Sequence, residues 1–445
     1  MEIRLPGKVN IIIETLEKAG YEAYAVGGCV RDSVLGKVPN DWDITTSARP
    51  EQVRRLFRRT VDTGIRHGTI TVLLGNEGFE VTTYRIDGIY EDGRHPASVT
   101  FTASLEEDLK RRDFTINAMA YNQRTGVVDL FGGQEDLQKG VIRAVGDPEA
   151  RFQEDALRMM RAVRFAAQLG FEIHDETSEA IRVHAPELSK VSAERIRAEL
   201  EKLLVSDHPE KLRDTVELGL TKVFLPELDA CMEVTQHNEH HIYTVGEHSL
   251  RAVEAVRKDR ILRLTMLLHD LAKPECKMAD AEGNERFPGH PEKSAYLAAL
   301  ILRRLKYDNE TIRCVKTLVR YHGIRPEVTP AGVRHQIVMV GKDLFPLLFE
   351  VKVADGAAQR PGRKEEKQTQ VDEWKKIYDQ IIADGDCLSL KELAVSGSDL
   401  IAAGQKPGRG FGKVLQVMLE DVLEEPSHNS KDYLMGKYAS VLTNK

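Results

Sequence analysis

The sequence predicts an α+β chain whose β-structure is confined to its first third. Runs of β-branched and aromatic residues bounded by glycine-rich turns recur between Ala23 and Gly133, then cease near residue 147. Beyond that point apolar residues recur at helical spacing to the end of the chain. A length of 445 residues also exceeds one ordinary core, so two to four domains are expected.

Taken in order, residues 8 to 19 show a helical stripe (Val9, Ile12, Ile13, Leu16) that Gly20 closes. Ala23 to Val26 reads as a strand running into Gly27-Gly28-Cys29-Val30-Arg31-Asp32. Paired glycines let backbone amides approach a phosphate that any side chain would block. Asp41-Trp42-Asp43 follows, and carboxylates at i and i+2 of an extended segment share a face, where they can hold hard cations such as Mg2+. Gly-rich turn and Asp-x-Asp pair together suggest nucleotidyl transfer.

Pro50-Glu51-Gln52-Val53 opens a helix with an acidic first turn. Thr69 to Leu74 and Phe79 to Tyr84, joined by Gly75-Asn76-Glu77-Gly78, form a hairpin signal, and Glu80 on its second strand is a candidate third metal-site carboxylate. Residues 85 to 99 are polar and aperiodic, a long loop of the kind that is often functional. Residues 106 to 117 read as one helix carrying Arg111 and Arg112 into Asp113 and Asn117; the arginines suit phosphate oxygens, the other two a ribose hydroxyl. Asp129 to Gly133 ends a strand in a tight turn.

Arg151 to Leu169 reads as a single helix closed by Gly170, with Asp155 and Arg158 on one face. Such a pair is either an intrahelical ion pair or a base reader. Parallel arginine donors beside carboxylate acceptors match the edges of cytosine and adenine and not those of guanine or uracil.

The net charge of −7 does not advertise a nucleic-acid binder, so any RNA contact must rest on local concentrations of cations. Arg158, Arg161 and Arg164 form one. Arg303-Arg304-Lys306 and Arg360-Pro361-Gly362-Arg363-Lys364 are two more, which read first as solvated surface. No run reaches the roughly 18 apolar residues of a membrane span, and Met1-Glu2-Ile3-Arg4 leads into a helix pattern rather than a signal peptide, so a cytoplasmic protein is expected. The five scattered cysteines read as free thiols.

A second constellation lies between residues 237 and 355: His248, His269-Asp270 after an apolar run, His290, His322 and Asp355. Polar neighbours at the end of a buried helix need partners. Imidazoles with carboxylates suit Mn2+, Fe2+, Ni2+ or a mixed pair, and such a site activates water for phosphate-ester hydrolysis. His237, His240, His241 and His335 read as ordinary surface or core residues.

With both centres in view, the chain resembles the class II tRNA nucleotidyltransferase and poly(A) polymerase family. GGCVRD (27 to 32), DWD (41 to 43), YRIDGIYEDGRHP (84 to 96), DLKRRDFTINA (108 to 118), DLFGG (129 to 133) and EDALRMMRAVRF (154 to 165) carry the likeness, in the family's order. The resemblance implies a small mixed-sheet catalytic head (1–146), a helical neck with RNA-binding residues (147–235), a body (236–365) and a tRNA-binding tail (366–445). It implies Mg2+ on Asp41 and Asp43, triphosphate on Gly27, Gly28 and Arg31, phosphates on Arg112, ribose on Asp113, and the incoming base on Asp155 with Arg158.

The implied activity is template-independent addition of C, C and A to tRNA from CTP and ATP. A poly(A) polymerase, a CC-adding and an A-adding enzyme are its rivals within the family. The full-length loop at 84 to 96, with Arg85, Asp87, Tyr90, Asp92, Gly93 and Arg94, favours complete CCA addition. The central region resembles an HD phosphohydrolase domain at His248, His269, Asp270, His290, His322 and Asp355. A metal-dependent phosphohydrolase with a vestigial nucleotidyl site is therefore the rival of another class. In the tail, Gly408, Arg409, Gly410 and Lys413 could meet tRNA backbone.

Overall fold

The structure, a computed structural model, describes residues 2–87, 99–236, 242–279, 281, 285–325, 327–403 and 410–443. The backbone divides into two compact units, Met1–Pro226 and Glu227–Lys445.

In the first unit, helix α1 (Gly7–Lys18) buries the predicted stripe, and Gly20 follows it at φ +87°. The strands are β1 (Ala23–Val26), β2 (Ile44–Thr46), β3 (Thr60–Gly64), β4 (Thr69–Leu74), β5 (Glu77–Thr83), β6 (Arg85–Asp87), β7 (Val99–Phe101), β8 (Met119–Asn122) and β9 (Gly126–Asp129). Seven of them form one sheet in the order β3-β4-β5-β2-β1-β8-β9. The sheet is mixed, because β2 and β5 run parallel while its other neighbours run antiparallel. β6 and β7 make a separate antiparallel ribbon at the base of the predicted loop; residues 88 to 98 of that loop lie outside the described residues.

Helix α2 (Gly28–Val34) leaves the end of β1 directly, and α3 (Pro50–Leu56) opens at the predicted proline. The expected helix over 106 to 117 is broken. Helix α4 (Leu105–Lys110) packs Leu105 and Leu109 onto Tyr24, Val26, Tyr84 and Ala120 and then stops. Phe114 is extended and bridges Ala144, Val145 donates to the Asp113 carbonyl (3.1 Å) and Thr115 to the Arg143 carbonyl (2.9 Å). These long-range bonds outcompete the helical ones, and only a short 3-10 turn, Thr115–Asn117, follows.

Asp129 then caps α5 (Gly133–Lys139), accepting the amides of Gly133 and Gln134 at 2.8 Å each. Gly133 has no room for a side chain: a Cβ there would overlap the Thr115 carbonyl oxygen.

The expected single helix over 151 to 169 is likewise two, α6 (Pro148–Glu154) and α7 (Leu157–Leu169). Between them Asp155 is extended (φ −145°, ψ 102°) and its carboxylate accepts the Leu157 amide at 3.0 Å. The aspartate prefers capping the new helix to continuing the old one. Helix α7 is buried on nearly every face. Short strand pairs at Val141–Ile142 with Glu172–Ile173, and at Met278–Ala279 with Glu285–Arg286, extend β-structure past residue 147, against expectation.

The second unit is otherwise helical. Thr244, Asp259, Asp308 and Thr329 each cap a following helix through a side-chain oxygen. Arg334, buried in the Pro330–Val340 helix, donates to the Leu423 (2.6 Å) and Glu424 (3.1 Å) carbonyls that end the Gly410–Glu424 helix, and pairs with Asp386 at 2.9 Å. All five cysteines are free and buried. Among the described residues, no helix is long and apolar enough to cross a membrane.

Gly133→Ala is expected to destabilise the first unit by about 1–3 kcal/mol through overpacking. Gly7→Ala, with nothing within 4 Å of its Cβ, stays within about 0.5 kcal/mol. Urea unfolding of the two variants checks this, and equal stabilities would refute it.

Candidate functional site

The first site grows out of the middle of the sheet. Val26 donates to the Asp43 carbonyl at 3.0 Å and Gly27 to the Met119 carbonyl at 3.1 Å, so the glycine turn closing β1 lies beside the aspartates that precede β2. The register that pairs Ile44 with Val81 carries Glu80 alongside Asp43. Burial, then the charge of Asp41, with Glu80 adding and Arg112 opposing, pushes the Asp43 carboxyl above its ordinary range. Asp41, Asp43 and Glu80 supply hard oxygen donors of the kind a divalent cation takes, although their oxygens do not all lie within 4.8 Å of one another. Asp41, Asp43 and Glu80 line an open cleft of about 790 Å³.

Arg112, whose charge acts on Asp43, and Arg31 lie against the glycine turn. Gly27 adopts φ +81°, and a Cβ there would come within 3.0 Å of Arg112 Nη1. Arg112 Nε is buried and has no hydrogen-bond partner, a donor suited to a phosphate oxygen. Arg31 donates to Asn117 Oδ1 and to Asp32 Oδ1, both at 2.8 Å. Asp113 accepts from Asn117 (3.2 Å), from its neighbour's amide (2.8 Å) and from Arg161 (2.8 and 2.5 Å). Burial alone would raise the Asp113 carboxyl, but Arg161 outweighs it and holds the group below the usual carboxylate range.

The remaining predicted cations are tied elsewhere. Arg111 pairs with buried Asp108 (2.7 Å). Arg164 pairs with Glu199 (2.5 Å) and lies 3.7 Å over the Phe165 ring, which Arg31 and Arg161 also face at 5.2 and 5.3 Å. Asp155 and Arg158 do not form the intrahelical pair. Arg158 pairs with Glu154 (2.6 Å) and donates to the Arg111 carbonyl (3.1 Å), while Asp155 pairs with Arg195 (2.6 Å).

Five of these participants escaped the sequence reading, Glu199 among them. Glu154 signals itself only by standing four residues before Arg158, and Asp108 by preceding the two arginines it binds. Arg195 and Phe165 carry no local signal.

In the second unit five helices converge. His248 lies in Val245–Ala255, His269 and Asp270 follow Arg260–Leu268, His290 opens His290–Arg304, His322 follows Asn309–Tyr321, and Asp355 lies in Phe345–Ala357. Each histidine donates Nδ1–H to a backbone carbonyl: Ala358 (3.0 Å), Met266, Phe287 and Val319 (2.7 Å each). That leaves every Nε2 lone pair facing inward. His248 and His269 Nε2 stand 3.1 Å apart, with Asp270 Oδ2 3.4 and 3.2 Å away and Asp355 Oδ1 3.1 and 3.7 Å away. Asp270 Oδ1, buried and without a hydrogen-bond donor, faces His290 (3.3 Å) and His322 (3.6 Å). Acceptors facing acceptors make a cation site, and the donor set suits a divalent transition metal.

Lys273, three residues beyond Asp270 and paired to it at 2.7 Å, was missed in the sequence. His335 instead pairs with Glu420 and Glu424 at the surface. His237, His240, His241, Gly408 and Arg409 lie outside the described residues; Gly410 opens the Gly410–Glu424 helix, which carries Lys413.

Family profiles match three stretches: "Poly A polymerase head domain" at residues 23–143, "Probable RNA and SrmB- binding site of polymerase A" at 170–232, and tRNA nucleotidyltransferase domain 2 at 293–437. The CCA-adding enzyme of Lactiplantibacillus plantarum is 38% identical over 430 residues, 95% of this chain and 93% of its own. That of Bacillus cytotoxicus is 35% identical over 96% of this chain and 97% of its own. Among solved structures, the Bacillus stearothermophilus CCA-adding enzyme in complex with CTP superposes with a TM-score of 0.71 at 30% identity, covering both chains completely. The Thermotoga maritima CCA-adding enzyme complexed with tRNA shares the fold at a TM-score of 0.59 and 22% identity, over 99% of this chain and 100% of that one.

Because the folded-state Asp113 pKa is depressed, its contribution to stability is complete above the unfolded value, about 3.9, and is lost as pH falls through the folded one. Asp113→Asn is expected to be destabilised at neutral pH, with the deficit shrinking below about pH 4. Thermal melts of both proteins from about pH 7 to pH 3 test this; a deficit independent of pH would contradict it.

Proposed function

The chain belongs to the CCA-adding enzyme family, and on that premise we propose that its first site adds C, C and A to the 3′ end of tRNA from CTP and ATP, without a nucleic-acid template. One observation supports this above others: Asp41, Asp43 and Glu80 line one cleft, the Asp43 backbone is bonded to the strand that ends in the glycine turn, and Arg112 lies against that turn with its Nε buried and without a hydrogen-bond partner. Asp41 and Asp43, with Glu80 beside them, would hold Mg2+, which would supply Lewis-acid chemistry there: acidifying the tRNA 3′ hydroxyl and offsetting charge on the α-phosphate and departing pyrophosphate.

The chain's own side chains do the rest. Gly27 and Gly28 admit the triphosphate, and Arg112 donates to it across the turn. Arg31 is aimed by Asn117, and Asp113 with Asn117 meets the ribose. No protein nucleophile is needed. Asp155 and Arg158 supply acceptors and donors to the base, and in the free protein Arg195 and Glu154 hold them in place. Arg111 and Arg161 act behind them, keeping Asp108 and Asp113 ionised, and Arg164 pairs with Glu199. The parts run as head (1–146), neck (147–235), HD body (236–365) and tail (366–445), and a tRNA substrate accords with a cytoplasmic location.

The second site supports a second activity: hydrolysis of phosphate esters, with Mn2+, Ni2+ or Fe2+ held by His248, His269, Asp270, His290, His322 and Asp355. The inward Nε2 atoms, each oriented by a backbone carbonyl, support it.

A labelled assay on tRNA transcripts ending at the discriminator base, at C and at CC, with CTP, ATP or both, tests the first reading. Addition of poly(A) to arbitrary RNA, or of CC alone, would overturn it. Two variants separate the sites. Asp43→Asn should abolish incorporation yet keep Mn2+-dependent hydrolysis of p-nitrophenyl phosphate, and Asp270→Asn should do the reverse; either variant losing both activities while still folded contradicts the division. Asp155→Ala should lose discrimination of CTP and ATP against UTP and GTP by about 1–3 kcal/mol, roughly 5- to 150-fold. Unchanged preference would return Asp155 to a helix cap.

A further inference from the structure

In the second unit the Asn309–Tyr321 and Pro330–Val340 helices border an open groove of about 430 Å³, with Arg303 at its edge. Arg313, Lys316 and Arg320 line it with Arg303, and no acidic residue does. Arg313 is neutralised by Glu310 (2.7 Å) and Asp343 (2.6 Å). Arg303, Lys316 and Arg320 are exposed and, among the described residues, form no ion pair. Arg257, Arg304, Arg334, Lys375 and Lys437 of the same unit, by contrast, each meet a carboxylate. Lys316 and Arg320 also stand at i and i+4, one turn and about 6 Å apart, where like charges destabilise a helix. The fold carries that repulsion in a chain of net charge −7 without internal compensation.

Tyr321 and Met339, the latter 51% exposed, add an apolar edge to the groove. Cations along a concave wall beside apolar surface suit a nucleic-acid strand, whose phosphates follow the charges while sugar and base faces meet the apolar side. A flat lipid surface would not enter such a concavity.

We propose that this groove docks the phosphodiester backbone of RNA, binding the tRNA substrate through Arg303, Lys316 and Arg320. The tRNA identity rests on the reading of the first site as a CCA-adding centre. The three side chains contribute affinity and no chemistry.

The test compares the full chain with the triple variant Arg303→Ala, Lys316→Ala, Arg320→Ala, titrating a tRNA transcript ending at the discriminator base at several salt concentrations. If all three side chains neutralise phosphates, the slope of log Kd against log salt falls by about 2–3, and Kd near physiological salt rises roughly 10- to 100-fold. At saturating tRNA, kcat and the KM for CTP are unchanged. Arg303→Lys with Arg320→Lys keeps the slope. A slope and Kd within about twofold of the parent would overturn the proposal, as would a fall in polyglutamate binding equal to that for tRNA. Should the parent bind tRNA in this salt-dependent way yet add no nucleotide, the first site's reading fails and the groove stands.

Discussion

One buried carboxylate couples the catalytic sheet to its cations. Asp108 accepts Thr45 Oγ1 from β2 at 3.1 Å, Arg111 at 2.7 Å and Arg112 at 3.4 Å. Burial penalises its charge, but the two guanidiniums outweigh that penalty and keep it ionised. The acid in turn decides where the arginines stand. Arg112 reaches the Gly27 turn with its Nε uncommitted and its charge acting on Asp43.

The legible parts of the sequence were those decided locally. The apolar run of β1, the hairpin of β4 and β5, the glycine turn and the Asp-x-Asp pair depend on residues within a few positions of one another, and they fall where pattern and turn chemistry put them. What failed was decided at a distance. Residues 111 to 114 have helical composition, but strand-like bonds to residues 143 to 145 pull them straight. Asp155 sits at a helical spacing from Arg158, yet capping α7 and meeting Arg195 forty residues on turns the two side chains to different partners. The six ligand-type residues of the second unit were visible as a set. Their common orientation was not, because it is imposed by backbone carbonyls that leave no mark on composition.

The two centres differ in donor hardness. The first offers carboxylate oxygens, the second mostly imidazole nitrogen, so one chain can sort ions of different character by ligand chemistry alone. The same separation extends to their surroundings. Around the first site the arginines are packed and shared among buried acids; along the groove in the second unit Arg303, Lys316 and Arg320 stand exposed and, among the described residues, without an ion pair. Packed cations preorganise a site, whereas unmatched ones recruit a partner.

Arg334 sets a limit on how the second unit can be trimmed. Its guanidinium lies 6% exposed and takes two of its three acceptors from the last carbonyls of a helix ending ninety residues later. A chain cut short of that helix would bury a charge with Asp386 as its one remaining partner. The Gly410–Glu424 helix is thus not an appendage to be dropped in a minimal enzyme or exchanged as a module: its last turn is a structural ligand of the body, and any graft would have to bring those carbonyls with it.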